Sequence, residues 1–363
     1  PSPLQNADEP LHVSVAAGGR DLVLDSLLSV TVHGALNRVP SATLVLADGD
    51  MRSGKFALSD SAQLEPGVEI TVKAGYGSNE SSIFTGIVVK QGLAITGDNA
   101  SRLIVECRDK AVKMTVGRRN AVYEEQTDAD IARALIGAHG LGACVSDSTV
   151  VHPSLVQHDC TDWDFMLARA EAGGRVVVVD DGAVTVAPPK TGGSPVLAVA
   201  WGDSLIEFEA ELDASHQHAE VLVQAWDAGQ QAVLRSAPAG PATLNAQGNL
   251  DSKRLAAVMS PPQVLLQTGA ALHKDALDGW AQAQQLKSGL ARLRGRMRFQ
   301  GSALARVGAL IELSGVGDRF NGSAYVTALT HRISDGNWTT EAEFGTPAEW
   351  LAKRPDVVAP LAP

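Results

Sequence analysis

A hairpin motif that occurs twice constrains this chain more than any other feature. Its first copy is Gly67-Val68-Glu69-Ile70-Thr71-Val72, a loop, Phe84-Thr85-Gly86 and then Ile87-Val88-Val89. The second is Gly308-Ala309-Leu310-Ile311-Glu312-Leu313, a loop with Phe320-Asn321-Gly322, and then Ala324-Tyr325-Val326-Thr327-Ala328-Leu329. Gly67 aligns with Gly308, Ile70 with Ile311, Phe84 with Phe320 and Gly86 with Gly322, and the only length change falls in the loop, which is shorter in the second copy. Each copy reads as two strands joined by a hairpin, with glycines where the chain turns or approaches another backbone closely.

The segment after each hairpin repeats as well. Gly97-Asp98-Asn99 precedes a strand over Arg102 to Cys107, and Asp335-Gly336-Asn337 precedes one over Trp338 to Phe344. Duplication of a whole unit explains this order better than chance. Further strands are expected at Leu11 to Val15, Val23 to Val32 and Ala42 to Leu46, so residues 1–116 read as a first small barrel that hides its own edges. Residues 117–194 change character. Thr127 is an N-cap followed by Asp128 and Asp130, and His139-Gly140 closes that helix. Thr161 with Asp164 predicts a capping box opening a second helix that ends at Gly173-Gly174. Asp180-Asp181-Gly182 turns a hairpin. This is a small α/β insertion, and Pro188 to Pro195 is its exit linker. Residues 195–350 form the second barrel, with strands at Val196 to Val199, Leu205 to Leu212, Ala219 to Trp226 and Val264 to Leu266. Residues 236–262 read as a long excursion, and a long helix is expected over about 275–293. The tail 351–363 reads as a linker. The fold class is therefore mainly β with an α/β insertion: two related barrel-like domains in a β-rich α+β chain.

Composition limits the functions available. The chain has 363 residues, 45% hydrophobic and 20% charged, with 35 glycines and 17 prolines, which suits a turn-rich globular protein with a large core. A net charge of −11 argues against a nucleic-acid partner and against a polybasic membrane anchor. No apolar run approaches the roughly 18 residues that cross a bilayer. Pro1-Ser2-Pro3-Leu4-Gln5 does not read as a secretory leader, and a start at Pro1 is expected to follow trimming of an original terminus. Cys107, Cys144 and Cys160 are too scattered for a disulfide framework and read as buried free thiols.

No catalytic constellation, cofactor site or metal site emerges. Gly49 to Lys55 matches GxxxxGK, but Phe56 follows where a phosphate loop needs Ser or Thr, so a surface turn is expected. His216 with His218, and His158 with Cys160, lack further ligands at convincing spacing. Asp162 with Asp164, and Asp180 with Asp181, could pose as paired acids for glycoside cleavage, but helix caps and turns want carboxylates at those places. Arg294, Arg296 and Arg298 alternate on one strand face, with Lys287 and Arg292 nearby. They fit a solvated face or a dock for an acidic surface equally well.

Several segments carry a resemblance. Gln157 to Gly174, around Asp162-Trp163-Asp164-Phe165, resembles a segment of VgrG-type spike proteins, as does Asn37-Arg38-Val39-Pro40-Ser41-Ala42. Val122 to Ile136 and Gly308 to His331 are similar to further stretches in the same order, and Lys113-Met114-Thr115 leans toward spikes of extracellular contractile injection systems. Type VI secretion spikes and phage late control protein D are related. The resemblance implies a homotrimeric baseplate hub in which two barrels per subunit face a hexameric inner tube. It implies an OB-fold and needle beyond residue 363, carrying a PAAR-like tip and effectors, and assembly in the bacterial cytoplasm as part of a contractile particle. No catalytic role follows from it. The expected contact residues are Gly67, Phe84, Gly86, Gly308, Phe320, Gly322 and the three arginines. The alternative is a spike-borne cell-wall hydrolase or other effector enzyme using Asp162, Asp164, Asp180 or Asp181. A carbohydrate-binding module ranks last, with aromatics at only 4%.

Overall fold

The computed structural model describes residues 1–4, 8–22, 24–97, 100–258, 263–270 and 272–348. The expected tail linker, the turn residues Asp98 and Asn99, and Val23 lie outside the described residues.

The first unit contains β1 (Leu11–Ala17), β2 (Arg20–Asp21), β3 (Leu27–Ala35), β4 (Ser41–Ala47), β5 (Glu69–Tyr76), β6 (Asn79–Ile95) and β7 (Ser101–Arg108). Alternation drives it: Ala42, Leu44 and Leu46 of β4 are buried while their neighbours are not. Val15 of β1 and Val30 of β3, from distant strands of one sheet, join a single core with Leu44, Ile70, Phe84 and Val105. The sheet must therefore curl around that core.

The intervening part holds β8 (Arg119–Thr127), α1 (Asp128–Ala138), β9 (Gly142–Val145), β10 (Val151–Cys160), α2 (Asp162–Ala172), β11 (Val176–Asp180) and β12 (Ala183–Ala187). Its core, with Ile131, Leu135, Phe165, Met166 and Val184, is separate from that of the first unit. Thr127 and Asp130 form a reciprocal capping box at α1. At α2 Thr161 accepts from the Asp164 amide, the cap half of the expected box.

The last part begins with β13 (Leu197–Ala200) and β14 (Leu205–Leu212). β15 (Glu220–Asp227), β16 (Ala232–Arg235), α3 (Ser252–Ala256), β17 (Gln263–Thr268) and α4 (Lys274–Ala291) come next, followed by β18 (Leu293–Gln300), β19 (Leu310–Ser314), β20 (Gly322–Ser334) and β21 (Asn337–Phe344). β15, β16 and β17 make a small sheet of their own, and Leu277 and Ala281 of α4 cover Val221 and Val223 of β15. The expected strand at Ala219 to Trp226 thus belongs to this excursion and not to the second copy's sheet. No helix among the described residues is long and apolar enough to cross a membrane.

The two copies share one 13-stranded sheet. In the first, β3, β4, β7, β6, β5 and β1 are successive neighbours; in the second the succession is β14, β18, β21, β20, β19 and β13. Chain order matches strand for strand, with the small excursion inserted where the first copy has the tight β3–β4 connection. The junction is β20 against β3, where His331 faces Val32 and Ile333 faces Val30. One difference is at the edge: β1 runs antiparallel to β5, whereas β13 runs parallel to β19.

Candidate assembly interface

The duplication is close enough to be read from hydrogen bonds. Gly67 donates to the Val88 carbonyl, and Val88 donates back to Val68; Gly308 donates to the Val326 carbonyl, and Val326 donates back to Ala309. The registers share two irregularities. A bulge falls between Val88 and Lys90 against β7, and between Val326 and Ala328 against β21. Another falls between Leu27 and Ser29 against β4, and between Leu205 and Glu207 against β18. A bulge re-aims a strand, so shared bulges mean shared curvature.

This register corrects part of the sequence alignment. Ile70 faces Gly86 and Ile311 faces Ala324, so Gly86 corresponds to Ala324. Val72 faces Phe84 and Leu313 faces Gly322, so Phe84 corresponds to Gly322 and not to Phe320. The slip is two residues, which leaves inward and outward faces unchanged and so is invisible to alternation. Its physical cause is a contact made by the excursion. Gly322, at φ +118°, lies where a Cβ would stand 2.3 Å from the Ala246 carbonyl oxygen, and it bridges Gln247 of the excursion. Gly86 is needed for another reason, since a Cβ there would lie 2.3 Å from the Arg108 carbonyl oxygen.

The expected contact residues therefore occupy different settings. Phe84 is in the core of the first unit, and Gly86 is buried beside it. Phe320 packs edge-on to Phe208 against the core of the second. Gly67 is exposed at its turn with φ +100°, and Gly308 has φ +80°. Phe84 and Gly86 serve internal packing, which leaves the exposed parts of the hairpins as the surfaces able to meet a partner.

Arg294, Arg296 and Arg298 do share one face of β18, and each meets a glutamate of β14. Arg294 reaches Glu211 at 2.5 Å, Arg296 reaches Glu209 at 2.8 Å, and Arg298 pairs with Glu207. Across the other side of β18, Arg296 and Arg298 face Glu343 and Glu341 of β21. The row is thus a rung in a ladder of alternating charge. Lys287 instead pairs with Glu171 at 2.6 Å, and Arg292 bonds the carbonyls of Leu250 and Gln247.

Asp180 and Asp181 line one cavity with Asp109 and Arg306, and Asp162 and Asp164 lie outside it. Asp162 is buried and saturated: it accepts from Arg119 Nε at 2.6 Å, from Gln157 Nε2 at 2.9 Å, and contacts His139 Nε2 at 2.8 Å. Burial opposes its charge, but Gln157, His139 and Arg119 together hold its carboxyl below the usual range. Asp180 lies 3.4 Å from Arg306, and Asp181 sits in a turn at φ +48°. His216 and His218 lie between β14 and β15, where burial and His216 push the His218 imidazole down. Among the described residues no group of three or more His, Cys, Asp or Glu is gathered for a metal. Gly49 to Lys55 forms a turn closed by the Asp50–Lys55 bridge, with no long helix behind it. Cys107 and Cys160 are buried; Cys144 is exposed, contrary to expectation, because it lies on β9, which is accessible along most of its length.

Two sheet edges escape a reading of the sequence. β14 ends the shared sheet and, among the described residues, is bonded to β18 alone. β6 continues past the end of β5 as Lys90–Ile95, where only β7 lies beside it among the described residues. Leu93 is 47% exposed and Ile95 65%. Their alternation beyond Val89, where the expected strand ends, is the signal that could have found this edge.

Residues 9–335 match the family model of the Alg8 N-terminal domain. The chain belongs to the Alg8 N-terminal domain family. A comparison with curated sequences gives no match. Among solved structures, this family member is similar to the 43 kDa tail protein of prophage MuSo2 from Shewanella oneidensis, with TM-score 0.69 and 12% identity over 93% of this chain and 99% of that one. A tail protein of Neisseria meningitidis MC58 gives TM-score 0.66 and 15% identity over 94% and 98%. A component of the Escherichia coli type VI secretion system, with structural similarity to the T4 phage tail proteins gp27 and gp5, gives 0.55 and 9% over 93% and 78%. The fold of this chain is therefore that of phage tail proteins and of a type VI secretion component.

Proposed function

We propose that this chain is the structural hub of a contractile injection particle. It acts as a homotrimer that joins a hexameric inner tube to a threefold spike and passes the force of contraction between them. The observation that carries the reading is the duplication of six strands with two shared bulges, joined by β20 and β3. Three such chains present six near-equivalent units, which a sixfold partner can accept. The fold likeness to tail proteins and to a type VI secretion component supports the same role.

The domain division proposed is 1–116 and 195–350 as the two hub units, 117–194 as the insertion, and 351–363 leading toward a spike. Partners in this reading are the tube protein, baseplate proteins and, through the spike, a PAAR-like tip and effectors, with assembly in the bacterial cytoplasm. The chain is not an enzyme in this reading. The saturation of Asp162 by three partners weighs against a hydrolase built on that carboxylate. Sedimentation velocity tests the oligomer: a species of three times the 37.9 kDa chain mass is expected, and a particle that stays at one chain mass at tens of micromolar would overturn the hub.

A further inference from the structure

One edge is covered within the chain and its counterpart is not. In the second copy, β20 is paired with β19 through Tyr325, and from Ala328 to Ser334 the same strand is paired with β3. In the first copy β6 is paired with β5 through Ile87, but beyond the bulge no described strand takes the place of β3. Burial follows this difference. His331 and Ile333 are 3% and 7% exposed, whereas their counterparts Leu93 and Ile95 are 47% and 65%. The strand equivalent to β3 is β14, whose outer edge has no described partner. Val30 and Val32 of β3 are buried, while the equivalent Phe208 and Ala210 of β14 are only half-buried.

We infer that β14 of one protomer adds to β6 of the next as an antiparallel strand, repeating between chains the β3–β20 junction that exists within each chain. This deepens the hub reading and rests on it. Two half-sites, each lacking what the other supplies, identify the occupant as a second copy of this chain. Exposed apolar strand edges are otherwise a liability to aggregation, which a dedicated mate removes.

The register can be carried over residue by residue. His331 facing Val32 becomes Leu93 facing Ala210, and Ile333 facing Val30 becomes Ile95 facing Phe208. Apolar residues then meet on the core face. On the other face Arg332 opposite Thr31 becomes Ala94 opposite Glu209, and Ala328 opposite Ala35 becomes Lys90 opposite Asp213. The transferred register sets no like charges opposite each other, and the small Gly92 and Ala94 leave room for the Glu–Arg ladder. Each protomer gives one edge and accepts at another, a heterologous contact that closes a ring if its rotation matches the internal junction.

Disulfide trapping tests this in the full chain with Cys144 replaced by Ser. Ala94→Cys combined with Glu209→Cys should give a covalent trimer on mild oxidation, because directly opposite Cβ atoms lie about 4.5–5.5 Å apart. Gly92→Cys with Glu209→Cys, two residues out of register, should cross-link at least about tenfold more slowly, its Cβ atoms being roughly 7 Å apart. Leu93→Asp with Ile95→Asp should shift the chain to monomer with its melting transition retained. A trimer by mass that traps no Ala94–Glu209 pair, or that survives the double aspartate, would overturn the strand pairing and leave the hub standing. A chain that is monomeric and never trapped would overturn both.

Discussion

Gly86 and Gly67 belong to the same hairpin yet answer to different constraints. At Gly86 the added methyl would meet the backbone oxygen of Arg108 at 2.3 Å, and backbone in mid-sheet cannot yield easily. At Gly67 the space is open, and only φ +100° opposes a side chain. Urea unfolding should therefore show Gly86→Ala losing about 2–4 kcal/mol and Gly67→Ala about 1. Equal losses would mean that the close approach is not what demands glycine. His331 makes a second case. It is fully enclosed beside Thr340 and Trp338, and burial, helped by the Arg306 charge, lowers its imidazole to about 3. The unfolded chain binds a proton near pH 6.5 that the folded chain refuses until about 3. Stability is thus complete above 6.5 and falls with pH inside that window, at up to about 1.4 kcal/mol per pH unit. His331→Leu should flatten this slope between pH 6 and 4, whatever it does to the stability at pH 7. An unchanged slope would show that other groups set it.

At the scale of elements, the buried network around Asp162 is a structural joint between β8, β10 and α2. Asp162→Asn keeps the size but loses the charge and one of the two acceptor oxygens that Arg119, Gln157 and His139 share, and should cost about 1–3 kcal/mol in chemical unfolding. A neutral result would imply that the network adds little to the insertion. On the sheet, Arg296→Ala should change stability by less than about 1 kcal/mol, since the Arg296–Glu209 pair is open to solvent. The elements themselves are largely legible in the sequence, because their signals are local. Thr127 and Thr161 mark both helices of the insertion, and the alternation of Ala42, Leu44 and Leu46 marks a core strand. The duplication is legible from Gly67 and Gly308, whose turns need positive φ in both copies. The features that cannot be read are non-local. The two-residue slip at Gly322 depends on Ala246 and Gln247, which are distant in sequence. The small sheet of β15–β17 depends on α4 packing back over it. The pairing of the arginines depends on β14 and β18 becoming neighbours across the whole excursion.

At the scale of the molecule, the chain is two related units fused along β3 and β20, with the insertion and the excursion attached to that frame. The internal junction shows how one unit joins the next, and the charge of −11 makes a sequence-indifferent grip on nucleic acid implausible as an assembly force. In the proposed hub, two units per chain let three chains offer six. Averaged electron-microscope images of the purified oligomer, viewed down its axis, test this most directly. A closed threefold ring with six lobes of nearly equal size around one channel is the predicted result. A ring of any other order, or three chains whose six units do not lie on one circle, would contradict it.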